Sequence, residues 1–230
     1  MRTQDLRTDL LVTISDPRSP VSEAYRALRT NLQFASLDKE LRTLLVTSAG
    51  PGEGKSTTLG NLAVTLAQAE KRVILVDCDL RRPVLHKLFG LSNERGLTTM
   101  MVDAVAMKNP PLQETGVNGL RLLASGALPP SPSDLLGSRR MDEVIQVLLA
   151  DADMLLLDAP PVMAVADATV LATKVDGVLL VVSAGQTRRD NVRVAKSRLE
   201  KVNANLLGVV LNNVALDTSL GRYYAGRDEI

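Results

Sequence analysis

The sequence predicts an α/β fold, a mostly parallel sheet with helices on both faces. Three observations carry that reading. Six short apolar runs recur, at residues 42–49, 72–78, 119–125, 153–159, 177–183 and 204–213. They are nearly continuous rather than alternating, the pattern of strands covered on both sides. Helical patterns lie between them, at about 55–69, 133–150, 164–173 and 187–202, and strand–helix–strand alternation implies parallel pairing with right-handed crossovers. Aromatic residues make up only 2% with no Trp, so the core must be aliphatic, which suits strands rich in Val, Ile and Leu.

The elements follow in chain order. A helix precedes the first strand: Ser19-Pro20 or Ser22 can open it, and Val21, Ala24, Tyr25, Leu28 and Leu32 fall on one side. Glu23, Arg26 and Arg29 stand three apart on that helix and form one polar stripe. By spacing alone this is a solvated face with intrahelical ion pairs of about 0.2–0.5 kcal/mol each. A short helix is expected within RRPVLHKLFG, holding His86. The proline-rich stretch 127–134, ALPPSPSD, is a loop whose Ser133 can cap the helix that follows. One domain is expected over residues 1–214. Beyond Val214 the chain turns polar and glycine-punctuated, so 215–230 reads as a tail, with Tyr223 and Tyr224 in it.

Composition excludes several functions. The 230 residues carry 27 Lys+Arg against 26 Asp+Glu, a net charge of +1, so an electrostatic nucleic-acid binder is not expected. The single cysteine, Cys78, has no disulfide partner, and with His86 as the single histidine there is no Cys/His set for zinc. No apolar run approaches the roughly eighteen residues that span a bilayer, and the first twenty residues lack a secretory pattern. The chain therefore reads as cytoplasmic.

The strongest motif is Ala49-Gly50-Pro51-Gly52-Glu53-Gly54-Lys55-Ser56, followed by Thr57. It is a P-loop with alanine in place of the first glycine, set between an apolar strand and a helix. Gly52 and Gly54 let the backbone curl so that its N–H groups face phosphate oxygens, helped by the positive end of the helix. Lys55 adds charge at the β and γ phosphates, and the Ser56 hydroxyl is a Mg²⁺ ligand. Two carboxylate motifs accompany it. RVILVDCDLRRP puts Asp77 and Asp79 at the carboxyl end of one strand, and DMLLLDAPP puts Asp158 at the end of another. Ligands of open α/β sheets gather beyond those ends. Three carboxylates resist joint ionisation, a conflict that a bound Mg²⁺ removes. Arg81 and Arg82 could meet phosphate, meet a neighbouring subunit or cap structure, and position does not separate these.

Together AGPGEGKST, VILVDCDLRRP and LLLDAPP resemble the Walker A, A′ and B motifs of bacterial tyrosine kinases (BY-kinases), the CpsD/CapB-type cytoplasmic autokinases of capsule and exopolysaccharide synthesis. The resemblance spans residues 15–215 and includes SPVSEAYRALRTNLQF and SPSDLLGS. It implies ATP and Mg²⁺ as cofactors and a P-loop NTPase fold. It also implies that the loop from Gly50 to Thr57 holds the phosphates. Asp77 would act as catalytic base or orient the tyrosyl oxygen, with Asp79 and Lys55 as its catalytic companions. Ser56, Asp79 and Asp158 would complete the metal shell. Asn212 would read adenine, although from its position it is equally a strand-end cap. Glu23, Arg26 and Arg29 would join subunits into a ring that delivers Tyr223 and Tyr224 to neighbouring sites for phosphorylation. The expected partners are further copies of the chain and a membrane-embedded polysaccharide co-polymerase acting as modulator, which would bring the kinase to the inner face of the membrane. The related MinD/ParA ATPases begin their P-loop Lys-Gly-Gly, and here Gly50 replaces that lysine. An ATPase switch of that kind, or a nucleotide-binding scaffold, is the alternative.

Overall fold

The structure, a computed structural model, describes residues 10–35 and 40–215. The elements run α1 (Val12–Ser15), α2 (Pro20–Ala35), β1 (Thr43–Ser48), α3 (Lys55–Ala67), β2 (Val73–Asp77), α4 (Leu85–Leu88), α5 (Leu97–Val102), α6 (Ala104–Lys108), β3 (Gln113–Glu114), β4 (Leu120–Leu123), α7 (Pro132–Gly137), α8 (Arg139–Leu149), β5 (Met154–Asp158), α9 (Asp167–Ala172), β6 (Gly177–Ser183), α10 (Arg189–Lys201) and β7 (Leu206–Asn212). The seven strands form one sheet in the order β3-β4-β2-β5-β1-β6-β7, parallel throughout except for the antiparallel β3–β4 pair.

The apolar runs are continuous because both faces of the inner strands are covered. Leu45, Ile74, Val76, Leu155, Leu157 and Leu180 point into a cluster completed by residues of α5 to α10. Leu44, Val46, Leu75, Leu122, Leu156 and Val181 point into the opposite cluster, completed by α2, α3 and α4. β1 and β5 lie side by side. The helix after β1 packs on one face and the helix after β5 on the other. That divergence opens a crevice at the carboxyl ends of the central strands, where α/β sheets bind ligands.

Three details depart from the sequence expectations, and a fourth adds to them. Residues 133–150 form two helices, because Ser138 adopts an extended conformation (φ −68°, ψ 160°) between them. Ser133 is not the cap: α7 opens after Ser131 with Pro132 in its first turn, where a fixed φ and a missing N–H cost nothing. Val21 and Ala24 do not join the buried side of α2; both are exposed, Val21 by 37%, while Tyr25 and Leu28 are half-buried and Leu32 is buried. The amino-terminal segment also packs. Leu11 and Thr13 are buried, and the side chain of Asn61 in α3 ties them down. Its Oδ1 accepts from the Thr13 N–H (3.0 Å) and hydroxyl (2.9 Å), and its Nδ2 donates to the carbonyls of Leu10 (2.9 Å) and Thr57 (3.0 Å).

Candidate active site

The P-loop joins β1 to α3. Gly52 (φ 77°) and Gly54 (φ 88°) take the left-handed conformation the motif requires. No side chain caps α3 and its first turn holds no acidic residue, so the positive end of a thirteen-residue helix is left for an anion. The loop is braced from three directions. Glu53, itself buried, accepts the Ala49 N–H (3.0 Å) and the Thr187 hydroxyl (2.7 Å). Asn212 at the end of β7 donates its amide to the Glu53 carbonyl (3.0 Å). A Cβ on Gly54 would collide with that same amide. Asn212 thus lies against the P-loop and holds its shape. Ser48 donates to the Gly50 carbonyl (2.7 Å).

Lys55 is the hub. Its Nζ lies 3.0 Å from Asp79 Oδ2, 3.2 Å from each oxygen of Asp158 and 3.1 Å from Ser56 Oγ. Ser56 in turn donates to Asp158. Burial alone would lower the lysine's pKa, but Asp158 and Asp79 outweigh it and the pKa is raised. For Asp158, fully buried at the end of β5, burial outweighs Lys55 and Ser56 and the carboxyl titrates above its ordinary range. The structure therefore brings Lys55, Ser56, Asp79 and Asp158 together as the sequence predicts.

Asp77 adjoins this group but spends its oxygens on backbone N–H groups. It pairs with Asp158 in the β2–β5 register and has no exposed surface. Its Oδ2 accepts the N–H groups of Val84 (3.1 Å) and Leu85 (3.0 Å), and its Oδ1 accepts that of Asp79 (3.3 Å). Burial first, then the charge of Asp158, push its pKa up to about 7. A cavity of 420 Å³ opens over the P-loop; Gly52, Lys55, Ser56, Asp79 and Arg82 are in its wall, and Asp77 is not. Between the two aspartates Cys78 is buried and its thiol pKa is pushed well above the ordinary value, so it packs as a small apolar side chain.

Among the described residues no three His, Cys, Asp or Glu side chains converge on a metal position. Mg²⁺ needs no such cage, since it keeps waters and takes phosphate oxygens with one or two carboxylates. The donor set fits that requirement. Asp79 and Asp158 are both buried, both held by one ammonium group, and flanked by the Ser56 hydroxyl.

The two arginines, left open by position, take different roles. Arg82 is in the cavity wall. Arg81 turns away and binds Asp167 with Nε (2.9 Å) and Nη2 (3.1 Å). On α2, Arg26 pairs with Glu23 and donates to the Pro17 carbonyl (2.7 Å), while Arg29 donates to the Thr65 carbonyl in α3 (2.7 Å). Tyr223 and Tyr224 lie outside the described residues.

Known proteins resemble this chain in sequence and in fold. The family model described as the NUBPL iron-transfer P-loop NTPase (ParA) matches residues 40–219. The tyrosine-protein kinase YwqD of Bacillus subtilis is 41% identical over 95% of this chain and 92% of its own length. The chimerical protein CapA2B2 superposes with a TM-score of 0.86 at 36% identity, covering 90% of this chain and 91% of that one. The kinase domain of the Escherichia coli tyrosine kinase ETK also gives 0.86, at 34% identity over 95% of this chain and 84% of that one.

Proposed function

The chain belongs to the bacterial tyrosine kinases and is a protein-tyrosine kinase, and from that premise we propose that it phosphorylates Tyr223 and Tyr224 of neighbouring copies with ATP. One observation supports this most: Lys55, Ser56, Asp79 and Asp158 converge within hydrogen-bonding distance at the carboxyl ends of the central strands, beside an uncapped helix start. In this reading the backbone from Gly50 to Thr57 and the Lys55 ammonium hold the phosphates. The tyrosyl oxygen attacks the γ-phosphorus, the bond to the β-phosphate oxygen breaks, and ADP leaves. Positioning and charge neutralisation supply most of the acceleration.

The phenolic proton passes to a carboxylate of the Asp77–Asp79 pair. Asp79 is the member on the cavity wall, and Asp77, with its pKa near 7, holds the loop that presents it. Mg²⁺, held by Ser56, Asp79 and Asp158, would supply charge neutralisation at the phosphates. Asn212 keeps its proposed contact with the nucleotide base through the same end of β7 that braces the P-loop.

The reading extends to assembly. Glu23, Arg26 and Arg29 are proposed to join copies into a ring, exchanging their present partners within the chain for those of a neighbour. Residues 1–214 act as one kinase domain and 215–230 as the acceptor tail. The setting is capsule or exopolysaccharide synthesis, in the cytoplasm, with recruitment by a membrane-embedded modulator. Among the described residues no helix is long and apolar enough to cross a membrane. A second reading, ATP hydrolysis without tyrosine phosphorylation, draws on the match to the ParA family model.

The test is incubation of the purified chain with Mg-ATP, followed by mass spectrometry for phosphotyrosine. The proposal expects label on Tyr223 or Tyr224 that disappears in Lys55→Ala. ATP turnover with unmodified tyrosines would replace it by the second reading.

A further inference from the structure

The loop after β2 carries Asp79 to the cavity, and it is anchored unevenly. At its far end Asp77 accepts the N–H groups of Val84 and Leu85. In its middle, Leu80 is buried in the core and Asp79 Oδ1 accepts the Arg82 N–H (3.0 Å). The hydrogen bonds stay within the loop, while Leu80 packs into the cluster that holds Leu136 of α7 and Ala168 and Leu171 of α9. The polar tie to that helical layer is made by Arg81. Its guanidinium grips both oxygens of Asp167, the first residue of α9, and Asp167 has no exposed surface. The Ser133 hydroxyl of α7 donates to Asp167 Oδ1 (2.5 Å). Arg81 also lies 3.4 Å from Ser133 Oγ. Three segments separated by 34 to 86 residues thus meet on one carboxylate.

A buried carboxylate is costly without partners, and a two-pronged arginine fixes direction as well as charge. Burial would raise the Asp167 pKa, yet Arg81 and Ser133 more than offset it and the pKa is lowered. The Arg81 side chain is 40% exposed. Its geometry therefore contributes orientation more than a buried ion pair's energy. Only Leu80 separates Arg81 from Asp79, so the grip acts next to the carboxylate that meets Lys55.

We propose that Arg81, Asp167 and Ser133 form a positioning clamp that fixes Asp79 at the cavity wall, so that the divalent-cation requirement of the nucleotide site is set from the α7–α9 layer. The clamp rests on the phosphoryl-transfer reading only in taking Asp79 as a metal-side carboxylate.

The test measures equilibrium binding of a fluorescent ADP analogue to the whole chain, first in EDTA and then with increasing Mg²⁺. Arg81→Lys keeps the charge and loses the fork; Asp167→Asn keeps the shape and loses the ion pair. Each is expected to raise the Mg²⁺ needed for half-maximal enhancement by about 10-fold, the scale of losing a residue that orients a metal ligand. Binding in EDTA should stay within about twofold, because the P-loop backbone is untouched. In an Asp79→Ala background the Arg81→Lys effect should vanish, since the residue it positions is gone. An unchanged Mg²⁺ requirement in folded Arg81→Lys would overturn the clamp. So would an undiminished effect in the Asp79→Ala background, or wild-type binding indifferent to Mg²⁺. A shifted requirement in a chain that forms no phosphotyrosine would leave the clamp standing and remove the kinase proposal alone.

Discussion

Removing Lys55 should destabilise the fold itself, and the loss should depend on pH. Its ammonium is 3.2 Å from Asp158 and 3.0 Å from Asp79. At an effective dielectric of about 20 each contact corresponds to about 5 kcal/mol of attraction. Lysine desolvation and the mutual repulsion of the two carboxylates take back much of it. Breaking a buried pair from one side typically leaves a net loss of about 3–5 kcal/mol, and about 3 is expected here because the lysine side chain is 12% exposed. For a chain of this size that corresponds to a fall in Tm of about 6–12 °C.

The pH dependence has a definite sign. Asp158 already titrates above the ordinary carboxylate value through burial, and without Lys55 it is driven higher. The folded state then holds a proton that the unfolded state releases, so stability falls as pH rises through that window. Urea unfolding at pH 5 and pH 8 of the wild type, Lys55→Met, Asp158→Asn and the double variant provides the assay. The cycle should show a coupling of about 2 kcal/mol at pH 8 that shrinks at pH 5. Additivity at pH 8, or an equal penalty at both pH values, would refute the reasoning.

Three further outcomes are expected. Gly54→Ala places a Cβ at φ 88° against the Asn212 amide, so titration with a fluorescent ATP analogue should show affinity falling by at least about 10-fold, the equivalent of about 1–2 kcal/mol of left-handed strain. Asn61→Ala strands the buried Thr13 N–H and hydroxyl; it should cost about 2–4 kcal/mol in urea unfolding, with lost hydrogen-exchange protection at the Thr13 amide. The Asp77 pKa near 7 exceeds the unfolded value of about 3.9, so this group's contribution to stability falls as pH rises between those values. Asp77→Asn should therefore flatten the measured pH slope of unfolding free energy, and an unchanged slope would contradict the assignment.

Much of the fold was legible because burial on both faces writes strands as continuous apolar runs. Each of the six expected strands contains an observed one. The polar pair Gln113–Glu114 was invisible, since an edge strand of two residues carries no pattern. The break at Ser138 was hidden inside a helical periodicity that continues across it. The P-loop and its aspartates were legible because glycine spacing and strand ends are local features. The clamp was not. Asp167, Arg81 and Ser133 acquire meaning only once α7 and α9 pack beside the Asp79 loop, and Ser133 by itself reads as a helix cap. Asn61 hides in the same way, a polar residue inside an apolar helix whose partners lie 48 residues earlier. The Glu53 side chain was likewise missed, because its tie to Thr187 spans 134 residues.

Transfer between copies is the central claim, and a mixing experiment tests it most directly. Lys55→Ala keeps its tyrosines but loses the phosphate-binding lysine; Tyr223→Phe/Tyr224→Phe keeps the site but loses the acceptors. Each variant alone with Mg-ATP should remain unlabelled on its tail. Mixed, they should yield phosphotyrosine at Tyr223 or Tyr224 of the Lys55→Ala chain, at a rate that rises with the concentration of its partner. A mixture that stays unlabelled while the wild type labels itself would contradict transfer between subunits.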